Sequence, residues 1–138
     1  MKHLAWRILL STTVWVALGS ALGSLARYGV QLSLATTGDP MPLGTLTVNT
    51  LGSVLIGGFA AWQWPQGHLL ASIQARQFMM TGFCGGFTTF SVFSLETLFL
   101  LEHQLWAAAT VNIALTVSLC LAGVCLGYYA VASRTSKD

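Results

Sequence analysis

Charge is what this sequence has least of. Of its 138 residues six are Lys or Arg and four are Asp or Glu, 7% in all, where soluble domains carry about a quarter. Ten charged side chains cannot dress a water-facing surface, so an ordinary soluble domain is excluded. A nucleic-acid binder is excluded too, because a formal net charge of +2 leaves no basic patch dense enough for a phosphate backbone. There are three cysteines, Cys84, Cys120 and Cys125, all in apolar segments and none in a CxxC pair. They support neither a disulfide framework nor a zinc site and read as small packing residues. No P-loop, paired catalytic carboxylates or nucleophile–histidine set appears, and His3, His68 and His103 lie far apart near termini or loops. The sequence therefore points away from an enzyme.

Apolar residues, by contrast, make up 54% of the chain. The length fits one domain, and crossing a bilayer takes roughly 20 helical residues. Four segments reach that length, at about 8–34, 43–64, 73–101 and 105–132. The expectation is an all-α membrane protein, a single transmembrane domain over residues 1–138. Lys2 and Arg7 precede the first apolar run as in a signal peptide. That run continues past twenty residues with further spans behind it, so a retained first helix is expected. Turn formers fill the connections, in TTGDPMP at 36–42, in WPQGH at 64–68, and at Glu102, His103 and Gln104. Trp6, Trp62, Trp64 and Trp106 fall near the expected helix ends, as an interfacial belt requires.

Four spans put both termini on one side. Lys2, Arg7, Arg76, Arg134 and Lys137 then share that side, while the opposite loops hold Asp39 and Glu102 and no Lys or Arg. The positive-inside rule makes the shared side cytoplasmic.

Small residues recur within the spans. Gly19 and Gly23 form a small-xxx-small pair shadowed by Ser20 and Ser24, and Gly123 and Gly127 repeat it in the fourth span. Lipid gives helices no hydrophobic drive to associate, so close backbone contact must supply it.

Polar groups at depth are few. Arg27 lies in the later half of the first span, where a buried charge costs about 2.5–3.5 kcal/mol on insertion scales. Three roles are open to it: interfacial anchor, attraction of an anion at a pore mouth, or partner to a carboxylate. Asn49 sits six residues into the second span, and Asn112 and Thr116, four apart, share a face of the fourth. Such neutral donors suit a dehydrating anion or, more plainly, hydrogen bonds between helices. Glu96 follows Phe90 and Phe93 at three-residue steps; pairing with Arg27, carrying a proton and hydrogen bonding within a pore all remain open.

The third span contains TGFCGGFTTFSVF at 81–93. Gly82, Gly85, Gly86, Thr88 and Thr89 weaken the helix at mid-membrane, between about 82 and 91. Backbone groups exposed there must be satisfied, and broken helices in transport proteins satisfy them with ions or a facing break. Converging carbonyls make a hard-cation site that suits sodium; no carboxylate cluster suggests calcium or a transition metal. Phe90 and Phe93 follow at once. Phenyl edges are positive and can favour a small anion, although two such residues in a membrane helix are commonly packing.

With these segments in hand the chain resembles the Fluc/CrcB family of small bacterial fluoride channels. The likeness spans about 10–132, through GSALGSLARY at 19–28, GTLTVNTLGSVLIG at 44–57, GFCGGFTTFSVFSLE at 82–96 and, more loosely, NIALTVSLCLAGVCLG at 112–127. The third of these is highly specific. The resemblance implies an inverted dimer of four-helix subunits with two fluoride pathways, passively exporting fluoride from the cytoplasm of a bacterial cell across its inner membrane. It implies that Asn49, Phe90, Phe93, Thr116, Thr45, Glu96 and Arg27 lie along the fluoride path. It implies a structural Na+ held by the main-chain carbonyls of Gly85 and Thr88.

Two positions depart from the family pattern. Val92 stands where a threonine is usual, removing one hydroxyl, and Cys120 stands where glycine is common. The charge bias also departs from the balance a dual-topology homodimer needs, which brings in a heterodimer with an oppositely oriented paralogue beside the inverted homodimer. The rival reading is a small multidrug-type four-helix dimeric transporter, which would want a carboxylate in the first span where this chain has Arg27. A non-transporting assembly subunit is the other rival.

Overall fold

The computed structural model describes residues 2–35, 41–62 and 73–135, the side chains of 2–9 and 135 excepted. All regular structure among them is helical. Helix α1 runs Lys2–Ser33, α2 Leu43–Ala61, α3 Ile73–Gln77, α4 Gly85–Phe87, α5 Phe90–Glu102 and α6 Trp106–Thr135, with a π-helical stretch, Phe78–Cys84, between α3 and α4. Among the described residues three helical runs are long and apolar enough to cross a membrane: Leu43–Ala61, Ile73–Glu102 and Trp106–Arg134. Helix α1, 32 residues long, is the fourth long helical run. The expectations for Lys2, Trp6, Arg7, Asp39, Trp64, His68 and Lys137 fall outside what is described.

Each helix turns one stripe inward. In α2 the buried positions are Thr45, Val48, Asn49, Gly52 and Gly57. In α6 they are Ala109, Asn112, Thr116, Gly123 and Gly127. Spacings of three, four and seven residues recur within each stripe, as on one face of a helix. The outward faces carry exposed Leu22, Leu121, Leu126 and many other apolar side chains, the pattern of a lipid-facing surface.

Glycines set the helix spacing. A Cβ at Gly127 would meet the Val54 carbonyl of α2, and one at Gly57 would meet the Val124 carbonyl of α6, so the two backbones lie against each other. A second pair of glycine rows faces itself across α1 and the third span. A Cβ at Gly19 would stand 3.0 Å from Gly82 Cα, and one at Gly86 would stand 2.8 Å from Ser20 Cα. Gly19 thus meets Gly82, Gly86 lies on the backbone of Ser20, and Gly23 lies on the backbone of Phe83 and Phe87, so small residues bring α1 and the third span into backbone contact.

Helix α5 ends in a Schellman motif. Gln104 takes φ 59°, Leu105 N–H donates to Leu100 O at 2.9 Å, and Gln104 N–H donates to Leu101 O at 3.0 Å. These bonds satisfy two terminal carbonyls and fold α6 back in a three-residue turn.

Candidate functional site

The third span leaves helical geometry at Thr88 (φ −83°, ψ 161°) and Thr89 (φ −152°, ψ 119°). Two side chains hold it there. Asn49 of α2 takes both backbone groups of Thr89: its Oδ1 accepts from the N–H at 2.7 Å, and its Nδ2 donates to the C=O at 2.9 Å. The Thr89 hydroxyl then accepts from Val92 N–H at 3.1 Å as the N-cap of α5. In an unbroken helix Thr89 N–H would serve Gly85 O, and Val92 N–H would serve Thr88 O. Both donors are diverted, so two peptide oxygens are released from the ladder within one turn.

Helix α1 supplies donors along the same segment. Ser20 Oγ donates to Gly82 O at 3.3 Å, Ser24 Oγ to Gly86 O at 3.4 Å and Arg27 Nη1 to Thr88 O at 3.2 Å. Gln31 continues the row to Thr45 Oγ1 at 3.2 Å. Positions 20, 24, 27 and 31 advance by four, three and four, one face of one helix. Arg27 therefore serves a main-chain oxygen. Among the described residues the partner of Glu96 is Thr45, whose hydroxyl donates to Oε1 at 2.9 Å, and Glu96 Oε2 is buried without one.

Beside the break lies a cavity of about 680 Å³. Asn49, Gly85, Thr88, Phe90, Phe93 and Thr116 line it, so six of the expected site residues come together there. Thr45, Glu96 and Arg27 do not line it. Phe90 is 79% exposed and Phe93 buried, their ring centroids 5.7 Å apart with planes at 46°. Thr116 is 7% exposed, and its hydroxyl has no hydrogen-bond partner among the described residues. Thr50 Oγ1 and Asn112 Oδ1 are left in the same way, but of these three residues only Thr116 lines the cavity.

Asn112 behaves differently from Thr116, although the two share a helix face. It is fully buried and turned to α5, where Nδ2 donates to Thr97 Oγ1 at 3.0 Å, and Thr97 in turn donates to Phe93 O at 2.7 Å. Ser91, beside the valine at 92, bonds the Thr89 hydroxyl at 3.2 Å.

Gly85 O and Thr88 O are the hard donors on offer to a cation. A Cβ added at Gly85 would meet nothing within 4 Å, so its surroundings are open. Thr88 O carries two lone pairs, and Arg27 takes one. Two peptide oxygens of this kind fit a sodium ion, which takes oxygen ligands, provided further ligands come from elsewhere.

Reading the residues alone missed Ser20, Ser24 and Gln31 as donors, and Thr89 as a cap. The signal was present: hydroxyls, a guanidinium and an amide at 20, 24, 27 and 31 repeat on one face of an apolar helix.

The family model described as CrcB-like protein, Camphor Resistance (CrcB), matches residues 14–128. The chain belongs to the CrcB family. Curated relatives carry the name Fluoride-specific ion channel FluC. One from Opitutus terrae is 44% identical over 128 residues, covering 92% of this chain and 97% of its own. One from Rhodospirillum rubrum is 48% identical over 120 residues, covering 85% and 92%. The Bradyrhizobium diazoefficiens protein named Fluoride-specific ion channel FluC 1 is 46% identical over 123 residues, covering 89% and 85%. The CrcB match takes in the break, the cavity and the row of α1 donors together.

Proposed function

We propose that this chain forms a passive fluoride-selective channel, with no chemical step, that lets fluoride leave the cytoplasm down its gradient across the bacterial inner membrane. Membership of the CrcB family and the names of its relatives support the reading. The observation that carries it is the cavity beside the break, where the unpartnered Thr116 hydroxyl shares a wall with Asn49, Phe90 and Phe93.

Fluoride is small and strongly hydrated, so admission depends on contacts that replace its water, and selectivity is the difference in that exchange between fluoride and chloride. Thr116 offers a hydroxyl proton. Asn49 has one amide hydrogen left after serving Thr89. Phe90 and Phe93 supply ring edges. Arg27, Thr45 and Glu96 form the polar approach beyond the cavity, and Arg27 adds positive potential for an anion.

The working form is a dimer of inverted subunits. Phe90 leaves most of its ring uncovered by its own chain, and two peptide oxygens are too few to surround a cation. In this reading Gly85 O and Thr88 O hold a structural sodium together with the same atoms of a second subunit. When bound, that ion supplies fixed positive charge beside the anion path. The partner is a second copy, or a paralogue of opposite orientation if the charge bias forbids dual insertion.

Purified protein in liposomes tests this. Fluoride efflux without chloride efflux is expected. Equal permeation of both ions, or of neither, overturns the reading. Tags on the two termini, probed from each side of the membrane, report whether one chain inserts both ways.

A further inference from the structure

We infer that Gln31 is a positioning residue for the anion path, acting through Thr45 on the carboxyl of Glu96; its flux consequence rests on the channel reading above. The Thr45 hydroxyl has one proton and two lone pairs. Gln31 Nε2 donates into one pair at 3.2 Å, and the proton goes to Glu96 Oε1 at 2.9 Å. Helices α1, α2 and α5 meet at this single oxygen.

Hydroxyls in helices commonly turn back to the carbonyl four residues earlier. Ser94, Thr97 and Thr110 do so here, on Phe90 O, Phe93 O and Trp106 O. Thr45, buried at 3% exposure, reaches across to α5 instead. Thr45 is the third residue of α2, so the carbonyl four back, that of Met41, lies ahead of the helix; the Gln31 amide on one lone pair adds to this, directing the hydroxyl proton away from itself and polarising it toward the carboxyl.

The seat of Gln31 is built for this contact. A Cβ at Gly44 would stand 3.1 Å from Gln31 Cα and 3.3 Å from its Cγ. Glycine there lets the glutamine stem lie on the α2 backbone, one residue before Thr45. Because Glu96 Oε2 is buried without a partner, Thr45 is the carboxyl's donor among the described residues. Without Gln31 the hydroxyl loses the donor that orients and polarises it, and its bond to the carboxyl weakens.

The test compares wild type, Gln31→Met, Thr45→Val and the double variant. Infrared spectra in lipid identify the Glu96 carboxyl band by its loss in Glu96→Gln. Gln31→Met keeps the stem and removes the amide; it should shift that band and lower fluoride flux about fivefold, the factor of one net hydrogen bond. On the Thr45→Val background it should change neither. An unmoved band in Gln31→Met, or an equal flux loss on both backgrounds, overturns the inference. If the wild type carries no fluoride, the channel reading fails while the band still decides the role of Gln31. Where Gln31→Met does not assemble, Gln31→Asn, one methylene too short to reach Thr45, takes its place with the same expectations.

Discussion

Asn49 and Thr89, forty residues apart, are joined by a reciprocal pair of hydrogen bonds at 2.7 and 2.9 Å that replaces the helix at that point. The asparagine stands in for the next turn of backbone. It gives the extended residue an acceptor and a donor, so neither peptide group is stranded in a low-dielectric interior.

Asn49→Ala should therefore act on stability as well as conduction. It leaves two buried backbone groups unserved, at about 1–3 kcal/mol each. A marked fall in the thermal midpoint of the detergent-solubilised protein, together with loss of fluoride flux, is expected. Loss of flux at an unchanged midpoint would mean that the bond pair contributes little.

Thr116→Val should separate the two properties. The hydroxyl is buried without a partner among the described residues, so its removal should leave stability unchanged or raised while fluoride flux falls several-fold. An equal flux in liposomes would remove Thr116 from the path.

Adjacent glycines should respond oppositely to alanine. At Gly86 the added methyl meets the backbone of Ser20, which cannot yield without parting α1 from the third span. Overpacking of this kind costs about 1–3 kcal/mol. At Gly85 the space is open within the chain. Gly85→Ala should fold normally as a subunit, and a defect confined to dimerisation or ion flux is the expected outcome. Thermal melts beside size-exclusion profiles check both.

Thr89→Val removes the cap of α5, worth about 0.5–2 kcal/mol, whereas Thr89→Ser keeps the hydroxyl and should retain most of that stability. If the two variants melt together, the Val92 N–H bond is not a stabilising cap.

Much of the fold was legible because membrane helices announce themselves. Scarce charge and four long apolar runs required an all-helical membrane protein, and Gly19 with Gly23 marked a contact face. Of the candidate site, what was legible is a set of residue types: Asn49, Phe90, Phe93 and Thr116 stand out in their segments, and the fold brings them to one cavity. What sequence could not give is who meets whom. Gly82 and Gly86 read as helix weakeners, yet they are the surface on which Gly19 and Ser20 rest, and helical geometry ends only at Thr88 and Thr89. Nothing local says that a side chain forty residues earlier will take the Thr89 N–H. Arg27 and Glu96 carry opposite charges and invited pairing, but the structure sends one to a carbonyl and the other to a hydroxyl.

The α1 donors also have a place in time. Ser20, Ser24 and Arg27 leave the ribosome some sixty residues before the carbonyls they serve. The donors of the first helix are therefore made before the acceptors of the third, and helices that paired in their order of synthesis would bring the exposed peptide groups to a face already in place.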